Sequence, residues 1–376
     1  MRDVLHGLLL GYTRTGRLQR AKQALDEAGA LTAERFGPDD FQHVFHHLYE
    51  AIYLSAAGDT RAAERAMALT DRDQRAPPPG MLRFALVLRR TAIEWQIRLG
   101  EYDRIEERLA EIARDADQLL GAGNALTANL HPHLAQFHAD RGEYAQALAE
   151  REITARPDAV GLPSAMRTMA FAQVVLARVL ARAEGRDALL AQVRAAAANI
   201  ETDRVALGGL ATEARIAIAR SALLLGDPAL AATMVADARA LLAAAPERDQ
   251  AMWSRVDQID GEVARATGDL PRSRALLQAR VAQLERGRDR GTPALWTARL
   301  DLAYSAVLMD DPSAGTLLDR ARSERPPKMP AGHPLDLLDA RLVAATRDGS
   351  RVLADAGLPW AAGGDPQTPL PVGGMF

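Results

Sequence analysis

Apolar residues recur along this chain at helical spacing, and glycine-centred gaps interrupt them at equal steps. Gly16, Gly58, Gly100 and Gly142 stand 42 residues apart, and the same step reaches Glu184 (with Gly185 beside it), Gly226, Gly268 and Asp310. Counted back from each anchor, apolar side chains gather at offsets −12, −8, −5 and −1, which follows a 3.6-residue period and not an alternating one. The stretches after the anchors read likewise, as in Tyr102–Ile105–Leu109–Ile112 and Leu230–Met234–Ala238–Leu241. No alternating run bounded by turn residues suggests a strand. The pattern predicts an all-α chain of about eight antiparallel helix-turn-helix units.

Two columns of small residues flank the anchors. Seven positions before stand Leu9, Ala51, Ile93, Ala135, Ala177, Ala219, Gly261 and Ala303; five after stand Ala21, Ala63, Ile105, Ala147, Leu189, Ala231, Ser273 and Gly315. Small side chains at a crossing let two helices approach closely. The glycine between them supplies the positive φ that ends a helix. Prolines such as Pro38, Pro163, Pro246, Pro293 and Pro334 fall near the junctions between units. The repeat array is expected over residues 1–346, followed by a flexible Gly/Pro-rich tail over 347–376, with Trp360 and Phe376 as candidates to fold back. Met1 stands only fifteen residues before the first anchor, so Leu5, Leu8, Leu9 and Leu10 have no preceding unit to cover them. Repeat stacks usually end in a polar cap, so further sequence is expected upstream of Met1.

Gly100-Glu101-Tyr102 and Gly142-Glu143-Tyr144-Ala145-Gln146-Ala147-Leu148 resemble the turn of tetratricopeptide repeats. The 42-residue step resembles the longer subtype typified by the kinesin light chain and found in bacterial signalling proteins. Phe36-Gly37-Pro38-Asp39-Asp40 and Ala331-Gly332-His333-Pro334 are similar to the element that joins units there. One column departs from that family. Eleven before the anchor, where a large aromatic is common, stand Leu5, His47, Arg89, His131, Gln173, Arg215, Asp257 and Arg299. The resemblance implies a right-handed α-solenoid that serves as a non-catalytic scaffold or sensor, binding protein or peptide in its concave groove. The alternative is that the chain is the C-terminal regulatory region of a larger serine/threonine kinase or transcription regulator.

The family's inward-facing offsets are −13, −10, −6 and −2. They make Glu94, Arg98, Gln136, Asp140, Arg178, Arg182 and Arg220 the candidate partner-binding residues. Arg178, Arg182 and Arg220 would converge in the fifth and sixth units, and guanidinium groups there suit an acidic partner. The competing reading is that Glu213 or a neighbour pairs them off.

Composition narrows the rest. A net charge of −3, a pI near 6.3 and 5% aromatic residues give no field or stacking surface for nucleic acid or anionic membranes. With no cysteine, thiol catalysis and thiolate metal sites are excluded. No apolar run is long enough to span a bilayer and the N-terminus lacks a leader pattern, so a cytoplasmic protein is expected. His43, His46, His47 and Glu50 share one helical face. They lack both the His-Glu-x-x-His order and a third ligand, and His131, His133 and His138 lie two units away. Structural histidines are the expectation, with no metal and no cofactor. Nucleophile-elbow and phosphate-loop patterns are absent, and no enzyme activity is expected.

Overall fold

The computed structural model describes residues 2–14, 17–38, 40–57, 59, 62–63, 65–67, 69, 80, 82–155, 164–202, 208–244, 250–286 and 291–348. Among them the chain is helical and contains no strand. Helices α1 (Arg2–Arg14) and α2 (Leu18–Arg35) form the first hairpin, and α3 (Gln42–Ala56) opens the second, whose other arm is helical where it is described within 62–69. The third unit is α4 (Leu82–Leu99) with α5 (Ile105–Leu120). After a short α6 (Ala125–Ala128), the fourth is α7 (His131–Asp140) with α8 (Tyr144–Thr154). The fifth and sixth are α9 (Ser164–Ala181) with α10 (Arg186–Thr202), and α11 (Gly208–Leu224) with α12 (Pro228–Ala244). The seventh and eighth are α13 (Gln250–Ala266) with α14 (Leu270–Arg286), and α15 (Pro293–Leu308) with α16 (Ala314–Ser323); α17 (Pro334–Asp348) follows. Most contacts join neighbours in sequence, and in most units the first helix also packs on the first helix of the next. The expected tail from 349 onward lies outside the described residues, and no described helix is long and apolar enough to cross a membrane.

The 42-residue step is written in the backbone. In seven of the eight units the N–H that follows the anchor reaches back five residues to a carbonyl: Arg17 to Tyr12, Asp59 to Leu54, Glu101 to Gln96, Glu143 to His138, Asp227 to Ala222, Asp269 to Ala264 and Asp311 to Ala306, all between 2.8 and 3.0 Å. With the shorter bond from the anchor's own N–H, as in Gly100 to Ile97 at 3.0 Å, this is the six-to-one, five-to-two closure that ends helices on a left-handed residue. Gly100, Gly142, Gly226 and Gly268 have φ between +75° and +84°, and Asp310 takes φ 49° without being glycine. Gly16 and Gly58 are outside the described residues. The residue after the anchor also starts the next helix. Asp59, Asp227, Asp269 and Asp311 accept the N–H of Ala62, Leu230, Arg272 and Ser313 on their carboxylates, which satisfies donors that a helix start leaves open.

The fifth unit departs from the 42-residue count. Its left-handed residue is Arg182 (φ 51°), two positions before the expected Glu184, and Ala183 N–H closes on Arg178 O at 3.0 Å. The first helix therefore stops early and the turn absorbs the difference, because Leu189 still occupies its buried column at 0% exposure.

Both small columns lie in the helix crossings. All eight residues seven before the anchors are buried, Gly261 among them. Five after, Ala21 to Ser273 are buried in seven units, whereas Gly315 is exposed and its neighbour Ala314 takes the contact. Val4, at offset −12 of the first unit, is also exposed, as is Leu8. The polar column at −11 exchanges aromatic packing for cross-helix pairs. Arg89 meets Asp115 at 2.6 Å, His131 meets Glu150 at 2.6 Å, Gln173 accepts from Arg151 at 2.6 Å, and Asp257 meets Arg239 at 2.5 Å. Arg299, almost wholly buried, bridges Glu285 at 2.7 Å and Glu324 at 2.5 Å.

One contact departs from an open stack, in which each unit touches only its neighbours. The eighth unit and α17 lie against the third and fourth. Leu86, Tyr102 and Phe137 share a buried apolar cluster with Trp296, Leu300, Leu335 and Leu342. At the rim of this contact prolines sit on glycine turns. A Cβ on Gly100 would stand 3.2 Å from Pro293 Cδ and 3.4 Å from Pro326 Cβ, and one on Gly142 only 2.5 Å from Pro334 Cδ. Lys328 Nζ reaches Asp103 at 2.5 Å across the same seam. His333 is buried there with both nitrogens bonded. Its Nδ1 accepts the Leu335 N–H at 3.1 Å, so Nε2 carries the proton and donates to the Asp140 carbonyl at 2.8 Å.

Candidate functional site

Helices α4, α7, α8, α9, α11 and α13 contribute to one cavity of about 620 Å³. It is lined from α4 by Glu94, Ile97 and Arg98, from α7 by Pro132, His133 and Gln136, and from α8 by Arg151. Helix α9 adds Met169, Gln173 and Leu176; α11 adds Leu210, Glu213, Ile216, Ala217 and Arg220; α13 adds Arg255. Helical spacing explains the selection, since Glu94, Gln136 and Arg220 occupy offset −6, Pro132 and Ile216 offset −10, and Glu213 and Arg255 offset −13.

Of the seven residues expected in the groove, four line this cavity: Glu94, Arg98, Gln136 and Arg220. Asp140, Arg178 and Arg182 do not. The reason for the two arginines is the shift in the fifth unit. Counted from Arg182, offsets −13, −9 and −6 fall on Met169, Gln173 and Leu176, which are the α9 residues in the lining. Arg178 turns instead to Glu152 at 2.9 Å and Gln192 at 3.2 Å, and Arg182 forms the turn itself. The expected convergence of Arg178, Arg182 and Arg220 at one place is not what the lining contains. Asp140 lies behind Gln136, whose Nε2 donates to its carboxylate at 2.7 Å.

Charges in the wall pair in ladders between equivalent positions of successive units. Arg220 meets Glu262 at 3.2 Å and Arg255 meets Glu213, each pair 42 residues apart in sequence. Arg98 Nη2 bonds Glu94 at 2.7 Å and its Nη1 bonds Ser55 at 3.3 Å. Glu213, expected as a mate for Arg178 or Arg220, thus holds Arg255. Burial raises the Glu94 carboxyl, but Arg98 and the neighbouring His133 and Arg90 outweigh it and keep it below the ordinary range. Burial pushes His133 down to about 4 and Arg151 down to about 10, and pushes Asp140 up to about 7 against the Gln136 bond. His133 is therefore neutral at pH 7 and donates or accepts without adding charge. The lining then carries four guanidinium groups and two carboxylates. Three of these guanidinium groups are paired, Arg98 with Glu94, Arg255 with Glu213 and Arg220 with Glu262.

His43, His46 and His47 lie elsewhere, on α3. His47 Nδ1 pairs with Glu50 at 3.3 Å, and the His46 ring fills the space beside Gly29, 2.8 Å from where a Cβ would stand. Among the described residues, no group of three or more His, Asp or Glu side chains is placed to hold a metal ion. In comparisons with known proteins, the chain matches no family model and no curated protein. Sequence reasoning missed Arg151, Arg255 and His133. The first is on a second helix, outside the first-helix offsets, and His133 stands at offset −9, which is not one of the inward offsets. Arg255 stands at −13, an offset the family rule already included.

Proposed function

We propose that the chain is a tetratricopeptide-like, right-handed α-solenoid that acts as a non-catalytic binding module, a scaffold or sensor of bacterial signalling. Its partner is a protein that presents an acidic peptide segment to the inner cavity. The 42-residue turn geometry and the packing of first helix on first helix support the repeat class. The observation that carries the binding reading is the cavity itself, built from inward offsets and holding more guanidinium than carboxylate.

Selection from a random peptide library tests this reading. Peptides retained by the protein are expected to be enriched in Asp and Glu. Met169→Trp, which fills the cavity from a half-buried wall position, is expected to abolish retention while the far-ultraviolet circular dichroism is kept. Retained peptides without acidic bias, or retention undiminished by Met169→Trp, contradict it.

A further inference from the structure

Asp140 ends α7 with one bond toward the cavity and one toward the seam. Its carboxylate Oδ1 accepts from Nε2 of Gln136, a lining residue, at 2.7 Å. Its carbonyl accepts from Nε2 of His333, which precedes α17, at 2.8 Å. Neighbouring charges are spent on one another. Arg98 holds Glu94 on α4, and Lys328 holds Asp103 before α5. Glu143 takes both Arg141 and His138 at 2.8 Å, with Glu106 of α5 beyond at 3.6 Å. The Tyr102 and Tyr144 phenols feel the Asp140 carboxylate, and burial together with that charge raises both, so they stay neutral. Their hydroxyls are buried with no hydrogen-bond partner among the described residues.

Among the described residues no Lys or Arg forms an ion pair with Asp140, and the Gln136 amide is the group that favours its ionised form. A carboxylate drawn from water without a cation takes up a proton more readily. Burial accordingly raises Asp140 to about 7. An amide has a donating end and an accepting end, exchanged by a half-turn, and its bonded neighbour decides which is which. Here Nε2 is spent on Asp140, while Oε1 bonds no described residue and is the end left to the cavity by the half-buried Gln136 side chain.

We propose that Asp140 is a proton-operated switch that sets which end of the Gln136 amide the cavity presents. Ionised, it holds Nε2 and leaves the accepting Oε1 to the cavity. Protonated, its hydroxyl donates to Oε1, and the donating Nε2 is released to the cavity. One proton therefore removes a negative charge behind the wall and exchanges an acceptor for a donor within it. Both changes favour an anionic group, a consequence that rests on the binding reading above, whereas the switch itself does not.

Nuclear magnetic resonance of the isotope-labelled full chain from about pH 5.5 to about 8.5 is the test. The Gln136 side-chain amide signals, assigned by their loss in Gln136→Met, are expected to titrate with one midpoint near 7. Asp140→Asn, which still accepts the Nε2 bond but carries no titrating proton, is expected to abolish that midpoint. The carboxyl carbon shift of Asp140 reads the same event in the unaltered protein. Gln136 signals that stay constant, a midpoint that survives in Asp140→Asn, or an Asp140 carboxyl already fully ionised at the acid end of the range overturns the proposal. Retention of acidic peptides is expected to rise as the pH falls from 8 to 6 in the unaltered protein and not in Asp140→Asn. If Gln136 titrates but no acidic peptide is retained at either pH, the switch stands and the binding reading fails. If acidic peptides are retained while Gln136 does not titrate, the switch fails and the binding reading stands.

Discussion

Gly142→Ala is expected to destabilise the chain by about 3 kcal/mol, and Gly268→Ala by only about 1 kcal/mol, in urea unfolding. The two glycines hold the same place in the repeat and nearly the same backbone, with φ +78° and +84°. Placing alanine at positive φ costs about 1–2 kcal/mol at either position. Their surroundings differ. A Cβ on Gly268 meets nothing within 4 Å, but on Gly142 it would stand 2.5 Å from Pro334 Cδ and 3.0 Å from Cγ. A proline ring cannot swing away as a flexible side chain does, so the seam has to part or the turn has to shift. That overpacking adds about 1–3 kcal/mol. Equal losses at the two glycines contradict the seating of α17 on the fourth unit.

His333 is expected to make the same seam sensitive to acid by about 3 kcal/mol. Burial lowers its pKa from 6.5 to about 4, while the bond to the Asp140 carbonyl works in the opposite direction. Nδ1 accepts a helix N–H and cannot do so once protonated. The folded state therefore binds fewer protons than the unfolded one between these two values. The stabilisation is complete above about pH 6.5, falls as the pH drops toward 4, and levels off below. At about 1.4 kcal/mol per pH unit the total is about 3 kcal/mol. Burial also lowers His133 to about 4, giving a loss of the same sign, while Asp140, raised to about 7, contributes stability that grows as the pH falls from 7 toward 3.8. Comparison with His333→Asn removes both of these common contributions, since asparagine can still cap α17 but does not titrate. The stability gap between the two proteins is expected to shrink by about 3 kcal/mol from pH 7 to pH 4. A constant gap contradicts a buried, neutral His333.

The repeat was legible because its causes are local. A left-handed turn needs glycine or a tolerant substitute, and a close crossing needs a small side chain, so Gly100 and Ala135 announce their roles in any single unit. The slip in the fifth unit was also within reach, since Glu184 is a poor residue for such a turn. Nothing in the sequence, however, selects Arg182 as the residue that adopts it. From that slip follows the misplacement of Arg178, which the 42-residue count puts on the inner face and Glu152 draws away.

The seam between distant units was not legible. It depends on curvature summed over many helix crossings, each set by the packing of several side chains. Pro293 and Pro334 read as punctuation between units, and Gly100 and Gly142 look like every other anchor. Their second role exists only because the far end of the chain returns to them. The polar column at −11 was visible as a departure from aromatic packing. Its partners were not, because Arg299 meets Glu285 of the preceding unit and Glu324 beyond α16, a choice fixed by three-dimensional register.

Return of the last units to the third and fourth is the central claim, since it separates this fold from an open stack. The chain has two lysines, Lys22 and Lys328, which makes zero-length carbodiimide cross-linking unusually direct. Lys22 contacts Asp26 at 2.6 Å within one helix and serves as the internal control, while Lys328 contacts Asp103 at 2.5 Å across the seam. Peptide mass spectrometry of the cross-linked monomer is predicted to find the Lys328–Asp103 amide alongside the Lys22–Asp26 one. Finding Lys22–Asp26 while Lys328 is joined only to nearby acids such as Glu324 or Asp336 would contradict the closure.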